Sequence, residues 1–593
     1  MNCMRVLGIS CYFHDSAAAI LRDGQLVAAA EEERFTRIKH DYGFPYHAIK
    51  FCLDFEKIDG KELDYVVFFE KPFLKFDRIL KSIVNQFPKT YSLFIQSMRT
   101  WMVEKLWIKS LISRTLDIDS SKILFVEHHM SHAAISFFCS PFDSAAVVTF
   151  DGVGEWATTT IGYGCGNSID IRQELTFPHS IGLLYSVFTA FLGFEVNEGE
   201  YKVMGMAPYG EPKYLDKVWK LVQQFDDGSY LLNQEYFSFQ YSTKHTYTKR
   251  FADLFGKSRD PEVPFFTRTS EYPSYFEPRP HNYDQIAEYN QYYADIAASI
   301  QVVTEELTLG VVRQAYKETA SKNLCLAGGV ALNSVANARI LRETPFEQLY
   351  IQPSAGDGGC ALGAALFAWR CVLGHSDKFI MRHASWGAEY VNDEIKNIID
   401  EQGLEARYIE DTSELIDASV DQLLQGRVIG WFQGRFEWGP RALGNRSILA
   451  DPRMSSMKDL VNTKIKFREP FRPFAPSILA ESSKDFFSLS DPGGLLPAQF
   501  MLLVEPINMD KQALIPAVNH MGTARLQTVH PDLNARYYDL IERFSESSGV
   551  PLLLNTSFNI RGEPIVNSPS DALETFRNSG LDSLIMENFF ITK

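Results

Sequence analysis

Three histidines fall within five positions in the stretch Glu127-His-His-Met-Ser-His-Ala-Ala134, in a chain that holds only 13. His128 and His132 are four residues apart, so on a helix their imidazoles share a face, while His129 points roughly 100° away. Such a pair suits either a shared metal ion or a hydrogen-bonded structural pair, and spacing alone does not choose between them. Asp151, after the apolar run AAVVTF, and Asp357, in the glycine-rich loop SAGDGG, are carboxylates in loops that would face a cleft. Two imidazoles with two carboxylates suit a borderline divalent ion such as iron, manganese or zinc, and leave coordination positions for a substrate.

A second chemistry lies towards the C-terminus. Arg441 and Arg446 sit in GRFEWGPRALGNR, Lys464, Lys466, Arg468 and Arg472 in KIKFREPFRPF, Arg525 in GTARLQTV, and Asn555, Asn559 and Arg561 in LLLNTSFNIRGEP. Forked guanidinium groups bind phosphate or carboxylate oxygens two at a time. These cations lie among Gly, Pro and aromatic residues, not on helix faces opposite acids, which favours anion binding over surface ion pairing. The chain as a whole is acidic, with 74 Asp and Glu against 58 Lys and Arg and a net charge of −16. That balance disfavours nonspecific binding to nucleic acid, which needs cations to neutralise phosphates.

The elements that must hold these groups follow from turn signals and apolar runs. Residues 5–30 read as strand VLGISC, a polar break at Phe13-His14-Asp15, strand SAAAIL, the turn Asp23-Gly24 and strand QLVAAA. Residues 145–163 repeat the scheme around the loop Asp151–Trp156, which predicts an internally duplicated pair of lobes. A helix is predicted over about Tyr283 to Ala320. It is followed by NLCLAGGVALN and YIQPSAGDGGCALGAAL, strands running into glycine-rich turns whose helix-start amides can cradle phosphate.

At 593 residues the chain exceeds one compact core. A boundary is predicted between Cys371 and Trp386. Eight scattered cysteines with no CxxC pair predict reduced thiols and a cytoplasmic protein. No apolar run reaches the length of a membrane span. The aromatic, basic segment Tyr91–Leu111 is read as an amphipathic helix covering its own domain, with no membrane partner.

Eleven blocks, including YFHDSAAAI, RIKHD, EHHMSHAA, FDGVGEW, EYKVMGMAPYG, LAGGVALN, SAGDGG and GRFEWGPRALGNRSILADPR, resemble the signatures of the NodU/CmcH O-carbamoyltransferase family, in order along nearly the whole chain. The resemblance implies an α/β fold in two parts. Residues 1–370 would form a duplicated actin/Hsp70/sugar-kinase-like (Kae1-like) domain with a helical insertion at about 71–119, and residues 380–593 an α+β YrdC-like domain. It implies an ATP-dependent enzyme that converts carbamoyl phosphate to carbamoyl-adenylate and carbamoylates a hydroxyl of a small natural product, such as an antibiotic or a saxitoxin-type toxin. Carried over by motif, His128, His132, Asp151 and Asp357 would hold Fe2+ or another divalent metal. His14 would be the general base and Lys39 would lie near acceptor or intermediate. Gly182, Lys202, Gly205, Gly329 and Asn333 would line the nucleotide pocket, with ATP bound alongside Mg2+. Arg441, Lys466, Arg472, Arg525 and Asn555 would bind carbamoyl phosphate and ATP. A homodimer fits enzymes of this size. The alternatives are a threonylcarbamoyl-type transferase acting on tRNA and a non-catalytic ATP-binding scaffold.

Overall fold

The computed structural model describes residues 3–593 apart from 104, 243, 271, 273–277 and 489–494. Contacts divide the chain into two units: 1–32, 41–263 and 291–381 in the first, and 33–40, 264–290 and 382–593 in the second.

The first unit contains the same sheet twice. Strands β1 (Arg5–Ser10), β2 (Ala17–Arg22) and β3 (Gln25–Glu31) form an antiparallel meander, and β4 (Tyr65–Phe68) and β5 (Ile123–Phe125) extend it in parallel, in the order β3-β2-β1-β4-β5. Strands β6 (Ser144–Phe150), β7 (Ala157–Cys165) and β8 (Ser168–Thr176) form a second meander. After a small hairpin, β9 (Val222–Gln224) and β10 (Tyr230–Leu232), the chain adds β11 (Asn323–Ala327) and β12 (Gln348–Ile351) in parallel, giving β8-β7-β6-β11-β12. Two sheets of identical order and strand sense make this the duplicated actin/sugar-kinase-like architecture expected from the repeated hairpins. The long helix runs from Tyr283 to Thr319.

Close backbone approach sets the centre of this unit. Helix Cys360–Phe367, made of small residues (CALGAALF), lies against β1 and against helix His128–Phe138. A β-carbon on Gly8 would sit 1.8 Å from the Ala361 carbonyl oxygen, and one on Gly363 would sit 2.0 Å from that of Ser131. Only glycine permits these contacts. They bring the start of the histidine helix beside the loop that carries Asp357.

The second unit is built on one mixed sheet of nine strands among the described residues. The strands are β13 (Arg407–Tyr408), β14 (Ile429–Phe432), β15 (Arg446–Ala450), β16 (Ala475–Leu479), β17 (Leu503–Pro506), β18 (Thr523–Val529), β19 (Leu552–Ser557), β20 (Ser583–Met586) and β21 (Phe589–Thr592). Their order is β13-β21-β20-β14-β15-β19-β16-β18-β17. Helices Thr412–Leu424 and Ala535–Ser548 cover a core that includes Trp431, Leu449, Tyr537, Phe544, Leu553 and Ile585.

The division differs from a single cut between 370 and 380, because the second unit also takes up 33–40 and 264–290. The causes are specific contacts. Arg34 donates to the Gly439 carbonyl at 2.9 Å and Arg37 to those of Ile565 and Pro564 at 2.8 and 3.1 Å, and Phe265 packs on Phe471. The RIKHD block therefore belongs to the second unit, although it lies early in the chain.

The insertion after β4 is helical: Pro72–Asn85, Tyr91–Val103 and Ile108–Leu116. Tyr91–Leu111 packs on its own unit through Trp101, 5.7 Å from the Phe76 ring, and through buried Ile108. Helix Tyr91–Val103 buries Trp101 alone, while Tyr91, Phe94, Ile95 and Met102 stay exposed. No helix among the described residues is long and apolar enough to cross a membrane.

Candidate active site

His128 and His132 occupy the first and fifth positions of helix His128–Phe138, and both are fully buried. Asp151 follows β6 directly and Asp357 opens the short turn of 3₁₀ helix after β12, so two loops of the second sheet meet the histidine helix, which follows β5 of the first. His128 Nε2 lies 3.0 Å from Asp151 Oδ2 and 3.7 Å from Asp357 Oδ1; His132 Nε2 lies 3.8 and 3.5 Å from the same oxygens. One ligand atom from each of the four lies within 4.8 Å of the others. The two Nε2 atoms face each other at 3.2 Å, too close for both to carry a proton. Asp357 Oδ2 is buried without a hydrogen-bond partner. Two buried carboxylates around two imidazoles need positive charge at their centre, so the donor set fits a divalent cation.

Surrounding groups fix the rings. His132 Nδ1 faces Cys360 Sγ at 3.3 Å, and Gly329 N–H donates to Asp151 Oδ1 at 3.3 Å. Burial disfavours charge on His132, but Cys360 and the two aspartates outweigh it and hold its pKa well above the ordinary value. Burial also opposes ionisation of Asp151, yet its hydrogen bond with His128 and the nearby charge of His132 hold its carboxyl well below the usual range. His129 is separate, as expected. Its Nδ1 meets Thr149 Oγ1 at 2.6 Å, and burial together with its two histidine neighbours pushes its pKa down.

Glu155 is a site residue that the sequence did not reveal. Its carboxylate accepts the backbone N–H of His128 at 3.0 and 3.1 Å and that of Lys71 at 2.8 Å, so one acid clamps the starts of the metal-site helix and of the insertion. The signal is spatial: Glu155 is 27 residues from one partner and 84 from the other.

His14 sits in the loop after β1. Its Nδ1 meets Asp15 Oδ2 at 2.9 Å and its Nε2 meets the Asn197 carbonyl at 2.7 Å. A carbonyl can only accept, and a carboxylate favours N–H, so both ring nitrogens carry protons here. Burial opposes that charge, but Asp15, Asp357 and the Asn197 carbonyl prevail and raise the pKa to about 10. The expected base with a near-neutral pKa is thus an imidazolium in this state. It gains a free lone pair only when Nε2 leaves the Asn197 carbonyl.

The residues expected at the nucleotide occupy the same unit. A β-carbon on Gly182, in the first turn of helix Ile181–Phe191, would lie 3.0 Å from the Asp151 carbonyl oxygen, and Ser180 Oγ donates to that oxygen at 2.9 Å. Gly182 and Gly329 thus border the metal loop. Lys202 and Gly205 lie three apart on helix Glu200–Met206, with Lys202 Nζ 5.6 Å from the Phe194 ring centre. Asn333 is committed to structure, its Oδ1 capping helix Ser334–Glu343 through Ala336 N–H at 3.2 Å and accepting from Gln301 at 3.1 Å.

In the second unit, Arg441, Lys466, Arg468, Arg472 and Arg525 gather, and Lys39 joins them. Lys466 is buried and donates to Ser557 and to Asn559 Oδ1, the latter at 2.7 Å. Burial, then Arg468, Arg472 and Lys39, depress its pKa strongly. Burial, then Arg441, Arg468 and Arg472, depress that of Arg525, whose Nε has no hydrogen-bond partner. Cations crowded in this way await an anion. The loop bearing Arg441 is held by buried Glu437, which accepts the N–H groups of Leu443 and Asn445 at 2.9 and 2.6 Å. Asn555 Nδ2 is spent on Ala442, Ser477 and Gln527, while its buried Oδ1 has no partner.

Comparison with known proteins identifies the family. Residues 5–366 match the carbamoyltransferase N-terminus family and residues 420–593 the carbamoyltransferase C-terminus family. The chain belongs to the carbamoyltransferase family and is an enzyme of that class. It is 45% identical to an uncharacterized protein of Synechocystis sp., over 99% of this chain and 96% of that one. It is 36% identical to nodulation protein NolNO of Sinorhizobium fredii, over 98% of this chain and 79% of the relative. The nodulation protein NolO of Bradyrhizobium diazoefficiens is 35% identical, with 79% of each chain covered.

Proposed function

We propose that the protein is an ATP-dependent O-carbamoyltransferase with a YrdC-like second unit, acting on a hydroxyl of a small natural product. The observation that carries this reading is the six-cation cluster of Lys39, Arg441, Lys466, Arg468, Arg472 and Arg525, whose mutual repulsion outweighs the neighbouring Glu563 at Lys466 and would be relieved by bound oxyanions. There water hydrolyses carbamoyl phosphate to carbamate and phosphate, and a carbamate oxygen then displaces pyrophosphate from the α-phosphorus of ATP. Carbamate is a poor electrophile; as the mixed anhydride with AMP it has a good leaving group. In the first unit the acceptor oxygen attacks the carbamoyl carbon and AMP departs.

His14 takes the acceptor proton at Nε2 after that atom has left the Asn197 carbonyl and given up its own proton to solvent, while Asp15 at Nδ1 stabilises the charge that results. The helix start at Gly182 supplies an N–H group for phosphate. His128, His132, Asp151 and Asp357 would hold a divalent metal such as Fe2+, which when bound supplies Lewis-acid stabilisation of negative charge. Buried ligands also keep water from that point.

The test follows phosphate and pyrophosphate release by the full chain given carbamoyl phosphate, ATP and divalent metal. His14→Ala should spare pyrophosphate release but abolish carbamoyl gain on alcohols, and Arg441→Ala should abolish both. Absence of phosphate release from the wild type would overturn the reading.

A further inference from the structure

Helix Pro72–Asn85 is built inside out. It buries Lys75 and Arg78, whereas Phe73 and Val84 are exposed at 72% and 71%. The inward charges have local partners: Lys75 pairs with Glu70 at 2.5 Å and lies 4.3 Å from the Phe13 ring centre, and the Arg78 guanidinium sits 5.1 Å from that of Phe177. With the cations fixed inward, the apolar stripe must face outward. The next helix continues the surface. Phe94, Ile95 and Met102 lie on one face of Tyr91–Val103 and are exposed at 40%, 52% and 57%, and Phe87 between the helices is exposed at 68%. Exposed apolar side chains gathered on consecutive helices mark an interaction surface.

Charge chooses the occupant. Residues 71–114 contain nine Lys and Arg against Asp77 and Glu104, in a chain of net charge −16; Lys75 and Arg78 face inward, and Lys71 and Lys81 pair with Glu127 and Asp77. Lys89, Arg99, Lys109 and Arg114 are exposed, and Arg99 follows Ile95 by four positions and precedes Met102 by three, so it borders the apolar face. A second copy docked about a twofold axis would set this cationic surface against itself. A partner that is apolar and negatively charged is complementary in both respects. We propose that this insertion docks the enzyme peripherally on an anionic lipid surface, with the outer faces of its first two helices at the boundary between headgroups and acyl chains. The inference is independent of the acceptor and of the catalytic steps above.

The test is co-sedimentation of the full chain with vesicles of phosphatidylcholine alone or mixed equally with phosphatidylglycerol. Binding is expected only to the mixed vesicles, with release by salt. Lys89→Gln/Arg99→Gln should weaken the partition about 25-fold, at about fivefold for each cation near the surface. Phe94→Ser/Ile95→Ser should abolish pelleting, with an unchanged circular dichroism spectrum confirming the fold. Protein that stays in the supernatant with mixed vesicles overturns the proposal. So does light scattering that shows a dimer which Phe94→Ser/Ile95→Ser converts to monomer, since a second copy would then cover this face.

Discussion

Glu155 offers the sharpest test of how the metal site is held. It is buried and accepts two backbone N–H groups at helix starts, where a negative charge is also favoured by the helix dipole. Replacing it with alanine leaves both donors without their acceptor. The N–H of His128 is buried, so its loss approaches the full cost of an orphaned donor in a charge-assisted bond, about 1.5–3 kcal/mol. Lys71 is half-buried and water can replace part of its bond, which adds about 0.5–1 kcal/mol. The total, about 2–4 kcal/mol, falls on the turn that aims His128 Nε2 at Asp151.

Outer groups that orient ligands typically change metal affinity by about 10–100-fold, and Glu155→Ala should lie within that range. Glu155→Gln keeps an acceptor oxygen without the charge and should lose about half as much in free energy. The assay is metal titration of the apoprotein followed by a chelator-competition readout, with thermal melts of the apo and loaded forms. Wild-type metal affinity in Glu155→Ala would refute the clamp, whatever happened to the melting temperature.

His132→Ala removes one of the four converging ligand atoms, and metal retained after dialysis should drop by at least about tenfold; stoichiometric metal in that variant would return the histidines to a structural role. Arg525→Gln relieves repulsion among Arg441, Arg468 and Arg472, so the ligand-free protein should gain on the order of 1 kcal/mol in stability, while phosphate stabilises it less than it does the wild type. A destabilised ligand-free variant would show that the cluster is not repulsive. His14 has its folded pKa raised from 6.5 to about 10, so the stability it contributes is complete below pH 6.5 and lost as pH rises through 10. Denaturation of wild type and His14→Gln across that interval should show the difference shrinking; a difference already gone at neutral pH would refute the paired imidazolium.

What the sequence made legible is what is local. Asp23-Gly24 punctuates two apolar strands, and the same pattern after Ser144 announces the second sheet, because turns and alternation are written in neighbouring residues. His128 and His132 share a helix face by spacing alone. Asp151 and Asp357 could be read as loop carboxylates, but their convergence depends on Gly8 and Gly363 admitting helix Cys360–Phe367, a contact between distant segments. Helix Pro72–Asn85 shows the limit clearly. Its amphipathic period is readable, yet which face turns inward is decided by Glu70, Phe13 and Phe177, and the usual assumption of apolar residues inside gives the wrong answer. Likewise, Lys39 closely follows first-unit strands in sequence, and only the contacts of Arg34 and Arg37 place it among the second unit's cations.

The two charged sites follow one physical logic with opposite sign. Each unit holds charge that its own groups do not fully compensate: depressed cations in one, where Glu469 pairs with Arg472, and a buried Asp357 oxygen without a hydrogen bond in the other. Uncompensated charge destabilises the ligand-free fold, and that same free energy is returned when a phosphate or a metal ion binds. Stability and binding are therefore opposed at these positions, which is why the substitution that weakens phosphate binding at Arg525 is the one expected to make the empty protein more stable.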